Sequence, residues 1–307
     1  MSATANQIEG DRVRLPAPSR RRRRRVSRRT GELGSNGASV ALVGFVLLLL
    51  FGPLILLAVF SFNSSTIISL PFERFTTHWY AAAMEDPGAR SSIEHSIVVA
   101  LIVAAFCMVI GTMSAIGLTR TRFHLRGAAA GLHGATLVVP SLIIGVAAVM
   151  FFAQLKVELS LTTLTLMHIV VTFPLVTAIV AAGLVRFERA PEEAAIDLGA
   201  SQWQMVRYVM LPQIAPSLAA AGLYAFFESF NSFELSFFTG GYQETFPVWV
   251  YALLKHGNNL PMINAAATFI AAIQVAIVIG GWFLVKRLLR RQSTDTNLSD
   301  MILGARG

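Results

Sequence analysis

The residues whose types suggest chemistry most directly lie in one apolar stretch, 213–239. Glu228, Asn231 and Glu234 follow one another at three-residue intervals, which places them on a slanted polar stripe of one helix. Phe230 and other aromatic residues stand beside them. Two carboxylates bordered by aromatic rings suit a cationic amine, because opposite charge and cation–π attraction both favour it. We therefore expect a substrate path here; the alternative is a structural role, in which one acid pairs with a neighbouring helix or lies near a membrane interface.

A second polar stretch precedes this one and predicts a short helix with a defined start and end. Pro191 suits the first helical position, and Glu192 and Glu193 complement the positive end of the helix dipole. Gly199 suits the left-handed residue that closes a helix. These signals predict a helix of about two turns that ends just before Gly199.

The residues after that glycine predict a second short helix. Ser201 and Gln204 fit a capping box at its start, and Leu211-Pro212 ends it and begins the next apolar segment. Ala194 and Ala195 in the first helix carry almost no side chain, so the backbone of another protein has room to approach closely. We expect a docking surface; the alternative is an ordinary amphipathic connector at the lipid surface.

The sequence contains no pattern typical of a disulfide, a metal site, a nucleotide-binding loop or an intramembrane protease. The only cysteine, Cys107, lies within an apolar run, which excludes an intramolecular disulfide. The six histidines show no H-x-x-x-H or similar ligand spacing, and there is no G-x-x-x-x-G-K-[ST] phosphate loop. Glu192-Glu193 begins like the E-E-x-x-x-R motif of an intramembrane protease, but Asp197 stands where the motif has arginine. We therefore expect no catalytic residue, no metal ligand and no cofactor bound by this chain.

The chain that carries these residues has the composition of a polytopic membrane protein. Of its 307 residues, 54% are hydrophobic and 14% are charged, whereas a soluble domain carries about 25% charged residues. A transmembrane helix needs roughly 20 predominantly apolar residues, and backbone groups in lipid must be satisfied within the segment, so long apolar segments are expected to be helices. Six segments qualify: 39–61, 94–118, 132–155, 159–185, 213–239 and 262–286. The sequence predicts an all-α protein with six transmembrane helices.

Local features refine this prediction. Pro140 and Pro174 fall inside the third and fourth segments, where each removes a backbone donor and favours a kink or a local break. Aromatic residues after the first segment favour a short amphipathic helix near 76–85. Residues 1–38 are rich in arginine, serine and glycine and are expected to be a disordered tail.

The distribution of positive charge predicts the orientation of the six helices. With both ends of the chain and the loops 119–131 and 186–212 on one side, 21 of the 25 lysines and arginines lie on that side. The positive-inside rule makes it the cytoplasmic side, so both termini are expected there. The arginine run Arg20–Arg25 then acts as a topology signal, and nucleic-acid binding is the weaker interpretation.

The second polar stretch resembles the EAA loop of the membrane subunits of binding-protein-dependent ABC importers, E-A-A-x3-G-x9-I-x-L-P. Val209 replaces the isoleucine of that pattern. The positions that match are Glu193, Ala194, Ala195, Gly199, Leu211 and Pro212. The resemblance extends over most of residues 40–290. It implies a type I importer permease fold, with a permease domain at 39–289, a coupling loop at 186–212 and a cytoplasmic tail at 290–307.

In that family the loop is a coupling helix that seats in a groove of the ATP-binding subunit. The resemblance therefore implies that the loop residues, with Ala200 added to the matching positions, couple this chain to an ATPase. It also implies the partners: a dimer of ATP-binding subunits that hold ATP and Mg, a second homologous permease subunit and an extracytoplasmic substrate-binding protein. The location implied is the inner or plasma membrane.

Within the family the chain is most similar to the second permease of spermidine/putrescine-type importers. The strings that carry this similarity are Phe60–Asn63, Phe75–Tyr80, His95-Ser96, Thr119–Phe123 and Phe237–Gly240. The implied substrate is a polyamine. That subgroup often carries an acid near the position of Asn231, where this chain has an amide. The alternatives are another small solute, such as an amino-acid derivative, opine or phosphonate, or an ion-driven secondary transporter.

Overall fold

The computed structural model describes residues 37–65, 73–256 and 260–304. The expected tail at 1–38 lies outside these ranges except for its last two residues. The helices are α1 (Gly37–Phe60), α2 (His78–Glu85), α3 (Pro87–Arg120), α4 (Arg126–Val138), α5 (Ser141–Gln154), α6 (Leu161–Arg186), α7 (Ala190–Asp197), α8 (Gln202–Met205), α9 (Leu211–Gln213), α10 (Ala215–Asn231), α11 (Phe233–Thr239), α12 (Phe246–Lys255) and α13 (Leu260–Gly304). A π-helical turn, Val206–Met210, joins α8 to α9.

Four of these helices, α1, α3, α6 and α13, are long and apolar enough to cross a membrane. Two bent pairs raise the number of spans to six: α4 meets α5 at 103°, and the α8–α9 segment meets α10 at 77°. The predicted all-α membrane fold is confirmed, and the prediction of six spans equals the larger of these two counts. The expected short helix near 76–85 is present as α2.

The two prolines behave differently. Pro140 stands between α4 and α5, at the 103° bend, as predicted. At Pro174 the prediction was a kink or a local break, and the break does not occur, because α6 runs unbroken through it. Pro174 is buried, and a proline inside a membrane helix is tolerated where neighbouring helices support the segment.

The fifth predicted segment is wrong as a single helix. Its residues form α10 and α11, and Ser232 between them has an extended backbone, with φ −70° and ψ 101°. α10 packs on α3 and α6, whereas α11 packs on α5 and α6. The chain therefore changes its supporting helix at Ser232, a tertiary effect that apolar periodicity does not reveal.

The structure divides into two compact units, Met1–Pro53 and Leu54–Gly307. The described part of the first unit is the apolar beginning of α1. The second unit has its core where α3, α6 and α10 meet, around side chains such as Val103, Leu164 and Val180. A short apolar helix that the sequence did not predict, α12, encloses a second cluster around Phe230 and Trp249.

Side-chain caps fix the ends of two long helices. Asp86 precedes α3, and its Oδ1 accepts a hydrogen bond from the backbone N–H of Ala89 at 2.7 Å, with Pro87 in the first helical position. Ser160 and Thr163 form a reciprocal capping box at the start of α6. These caps set the residues at which α3 and α6 begin. They thereby set the positions along each helix axis of the residues that follow.

Candidate functional site

The loop between α6 and α10 contains both predicted short helices. α7 closes with the paired backbone bonds of a Schellman motif: the Gly199 N–H donates to the Ile196 carbonyl at 2.8 Å, and the Ala200 N–H donates to the Ala195 carbonyl at 3.0 Å. Gly199 has φ +89°, so the predicted left-handed closure is confirmed. The sharp turn brings α8 back beside α7.

The second short helix begins as predicted. The Ser201 N–H donates to the Gln204 Oε1 at 2.8 Å, and the Gln204 N–H donates to the Ser201 Oγ at 3.3 Å, which is a capping box. Its predicted end at Leu211-Pro212 is wrong: Pro212 lies inside α9, and the chain bends only at Ile214.

The π-helical turn explains how Pro212 is accommodated. The Leu211 N–H donates to the Val206 carbonyl, five residues earlier. A proline lacks an N–H and its ring clashes with the carbonyl four residues before it. The wider turn moves that carbonyl aside, so the helical path continues through Pro212 to Ile214.

This loop presents apolar and small side chains to solvent. Leu198 is 89% exposed, Trp203 67% and Tyr208 69%. Glu193 and Ala194 are also exposed, and Gly199 has no neighbouring atom within 4 Å of where a Cβ would stand. Ala195 and Ala200 are half-buried. Large apolar side chains exposed together around a backbone turn are typical of a surface that another protein covers.

A buried ion pair, which the sequence analysis does not predict, ties α7 to α3. Arg120 donates to Glu192 Oε1 from Nη2 at 2.7 Å and from Nε at 3.1 Å. The same guanidinium donates to the Leu184 carbonyl on α6 at 3.0 Å. The two side chains are only 11% and 8% exposed. Arg189 adds a bond to the Thr119 carbonyl at 2.9 Å.

These contacts join the loop 186–212 to the string Thr119–Phe123. From the sequence, Glu192 is predicted only to complement the helix dipole. The signal in the sequence is Arg120, which stands at the end of the apolar run of α3 and needs an acid when it is buried. Only the tertiary structure identifies Glu192 as the partner of Arg120, because the two residues are 72 positions apart in the sequence.

The residues of the predicted substrate path do not form one stripe. Glu228 is half-buried on α10 and interacts with the Tyr224 hydroxyl one turn earlier. Glu234 is exposed on α11, beyond the interruption. Phe230 is 4% exposed and packs in the cluster that contains Phe246 and Trp249, so it faces away from any open path.

Asn231 remains exposed at the end of α10 and is held by two hydrogen bonds. Its Nδ2 donates to the Phe227 carbonyl at 2.9 Å, and its Oδ1 accepts from the Gln274 Nε2 on α13 at 3.1 Å. Asn231 is exposed and Gln274 is half-buried, and polar side chains within membrane-spanning segments are costly against lipid. This pair therefore favours a water-filled or protein-covered side of the chain.

Aromatic rings of α11 and α12 form a group of their own. The Phe233 ring centroid is 5.4 Å from that of Phe237 and 5.0 Å from that of Tyr251 on α12. Phe237 and Tyr251 are 46% and 40% exposed. The sequence does not indicate this group, because residues 246–255 lie between two predicted membrane segments, 213–239 and 262–286.

Three other strings that carry the family resemblance also contact residues distant in the sequence. The Phe62 ring stacks on Phe75 at 5.0 Å, and the Trp79 Nε1 donates to the Asn63 carbonyl at 2.8 Å. His95 Nδ1 is 2.9 Å from the Glu244 carbonyl. The strings singled out in the sequence thus mark contacts between elements.

Within the described ranges, no group of three or more histidine, cysteine, aspartate or glutamate residues is placed to hold a metal ion. His168 is the most deeply buried imidazole of the described part of the chain, and it lies between Ser229 and Ser236. It links α6 to both halves of the fifth segment.

Comparisons with known proteins agree with these features. Residues 107–294 match the family model of the binding-protein-dependent transport system inner membrane component. The chain is 31% identical over 253 residues to the spermidine/putrescine transport system permease protein PotC of Escherichia coli (strain K12), a match that covers 82% of this chain and 93% of that protein. It is 29% identical over 264 residues to the putrescine transport system permease protein PotI of the same strain, covering 83% and 92%.

Solved structures share the fold at low sequence identity. A bacterial ABC transporter involved in the import of the acidic polysaccharide alginate contains a chain with TM-score 0.65 and 14% identity, and the match covers 82% of this chain and 94% of that one. An inward-facing form of the MetNI methionine ABC transporter gives TM-score 0.57 and 18% identity, covering 64% and 94%. At these identities the likeness concerns the fold alone.

Proposed function

Because this chain belongs to the family of binding-protein-dependent transport system inner membrane components, we propose that it is the permease subunit through which an ABC importer moves a polyamine. A permease subunit is a transport subunit and not an enzyme; a separate subunit hydrolyses ATP. The observation that carries the proposal is the α7–α8 loop, whose exposed apolar surface surrounds the left-handed turn at Gly199. The ion pair between Arg120 and Glu192 connects that loop to the membrane helices.

The coupling surface comprises the positions that match the family pattern, together with Ala200. Those positions are Glu193, Ala194, Ala195, Gly199, Ala200, Leu211 and Pro212. Of these, Leu211 is half-buried and packs against the core, so it supports the loop rather than contacting a partner directly. ATP and Mg belong to the partner ATPase, whose closure pulls α7 and α8 and turns the spans from inward- to outward-facing. Both termini and this loop lie on the cytoplasmic side.

The polyamine assignment draws on two sources. The relatives PotC and PotI are named for spermidine and putrescine transport. In this chain, Glu228 and Glu234 supply negative charge on either side of Asn231 in the sequence, and Asn231 bonds to Gln274. A second homologous permease subunit completes the path, and an extracytoplasmic substrate-binding protein delivers the solute. Phe230 supports the path from the core rather than lining it.

Reconstitution tests the proposal directly. The chain, its second permease, its ATPase and its binding protein are incorporated into proteoliposomes, and uptake of radiolabelled putrescine and spermidine is measured with ATP inside. We expect ATP-dependent uptake that also requires the binding protein. Uptake of an amino acid, opine or phosphonate in place of both amines would overturn the polyamine assignment, and uptake by the lone chain would overturn the importer itself.

Gly199→Asp tests the coupling surface. No atom lies within 4 Å of the new Cβ, so the side chain meets no clash, although any side chain strains the backbone at φ +89°. A charge then projects from the turn that faces the ATPase. We expect uptake to be abolished. Gly199→Asn is the matched control, since asparagine also tolerates a left-handed backbone and carries no charge; it should retain most uptake. Normal substrate-stimulated ATPase activity in the aspartate variant would contradict coupling through this loop.

A further inference from the structure

The interruption of the fifth segment at Ser232 is supported by side chains on both sides. The Asn231 Nδ2 donates to the Phe227 carbonyl at 2.9 Å, and the Ser236 Oγ donates to the Ser232 carbonyl at 2.7 Å. A helix that stops inside a membrane is stable only where its backbone groups find partners in the protein. These bonds indicate a built feature of the fold.

His168 on α6 bridges the two half-helices. Its Nδ1 lies 2.9 Å from the Ser229 Oγ on α10, and its Nε2 lies 3.3 Å from the Ser236 Oγ on α11. The three side chains are buried, with His168 only 1% exposed. Two helices, α6 and α12, pack against both α10 and α11. His168 on α6 therefore lies where one side chain can contact both half-helices.

The hydrogens in this group can be assigned from the bonds. Ser236 has one hydroxyl hydrogen, and the short bond to the Ser232 carbonyl uses it. The Ser236 Oγ therefore accepts from the His168 Nε2–H. The Nδ1 of the neutral ring then accepts from the Ser229 hydroxyl. Both ring nitrogens are used, one as donor and one as acceptor.

The interruption also separates the groups that we assign to the substrate path. Asn231 is the last residue of α10, and Glu234 lies in the first turn of α11. Broken helices near the middle of a membrane are where transporters commonly bind their substrates. The relative direction of these two side chains depends on the backbone at Ser232, and hence on the groups that hold it.

We propose that His168 is a positioning residue for the substrate path, which fixes the interruption between α10 and α11 so that Asn231 and Glu234 face the path in the orientation that binding requires. The inference rests on the proposed function for the identity of the substrate. The geometry is independent of the proposed function, because His168 contacts Ser229 and Ser236 whatever the solute is.

Uptake kinetics of the complete importer in proteoliposomes test this role. His168→Leu keeps a comparable volume and removes both bonds, whereas His168→Gln keeps a donor and an acceptor. Thr177→Val is the matched control, because Thr177 is buried on the same helix and bonds only to the Phe173 carbonyl of that helix. We expect His168→Leu to raise the KM for putrescine about fivefold, the effect of about one buried hydrogen bond.

Basal ATPase activity without binding protein should stay at the wild-type level in all three variants, and His168→Gln should recover much of the lost affinity. An unchanged KM in His168→Leu overturns the proposal. So does an equal loss of uptake, assembly and basal ATPase in His168→Leu with no recovery in His168→Gln, because that pattern is general misfolding.

A labelling experiment needs no transport and so separates this inference from the proposed function. Glu234→Cys is introduced with Cys107→Ala, and the rate of reaction with a hydrophilic thiol reagent is measured in the assembled complex. We expect His168→Leu to change this rate about fivefold while Thr177→Val leaves it unchanged. Equal rates in all three backgrounds overturn the positioning role even if putrescine uptake is normal.

Discussion

At the scale of single residues, the pairing of Arg120 with Glu192 matters most for the mechanism. A guanidinium that contacts one carboxylate oxygen twice and a backbone carbonyl once is held in a single orientation. It lies at the carboxyl ends of α3 and α6, where the helix dipoles favour a positive charge. Under the proposed coupling, a displacement of α7 would therefore move α3 and α6 together.

Charge reversal tests this pair. Arg120→Glu or Glu192→Arg leaves a buried charge beside a like charge, and breaking a buried pair costs about 3–5 kcal/mol. We expect either single variant to lose most putrescine uptake and most of the co-purified ATPase. The double variant should recover part of both, limited by the lost bond to the Leu184 carbonyl.

Arg122→Glu is the control for that experiment, because Arg122 lies two residues away and is exposed. It should change uptake little. If the double variant performs no better than the two single ones, the ion pair does not transmit the movement of α7.

At the scale of helices, the close approach of α3 to α6 decides how tightly the core is packed. Gly111 permits this approach: a Cβ there would stand 2.7 Å from the Val176 Cγ1. Val176 is fully buried, so its side chain has nowhere to move without a shift of α6. Small residues at such crossings are the usual means by which membrane helices pack closely.

Gly111→Ala should therefore destabilise the protein by about 1–3 kcal/mol, the usual cost of overpacking a core. Thermal unfolding of the detergent-purified chain measures this effect. Val176→Ala makes room for the new methyl group, so the double variant should be more stable than Gly111→Ala alone. Gly117→Ala on the same helix is the control, since no atom lies within 4 Å of its Cβ position, and it should be neutral or slightly stabilising.

At the scale of the whole molecule, positive charge sets the orientation in the membrane. Most of the lysines and arginines lie at the chain ends and in the loops after α3 and α6, and such asymmetry orients the helices during insertion. The only native cysteine, Cys107, is buried. Thiol labelling from either side can therefore report the orientation.

Leu125 is 68% exposed in the loop after α3, and Tyr242 is fully exposed in the loop after α11. In a Cys107→Ala background, an impermeant thiol reagent added to intact cells, with any outer layer made permeable, should label Tyr242→Cys and spare Leu125→Cys. Inverted membrane vesicles should give the opposite pattern. Labelling of both positions from the same side would contradict the six-span arrangement.

The sequence by itself determined the class of the protein and the local conformation of its loop. Apolar runs specify membrane helices because lipid offers the backbone no partners. The closure at Gly199 and the capping box at Ser201 were predictable because each depends on residues within one turn.

Only the tertiary structure decided how distant residues meet. The interruption at Ser232 follows from α11 packing on α5 instead of α3, and Phe230 turns inward because α12 covers it. The contacts of Arg120 with Glu192, and of His168 with Ser229 and Ser236, span more than 60 positions. Such contacts depend on which helices are neighbours. Hydrophobic periodicity carries no information about that choice, because the apolar faces of all the membrane helices have a similar composition.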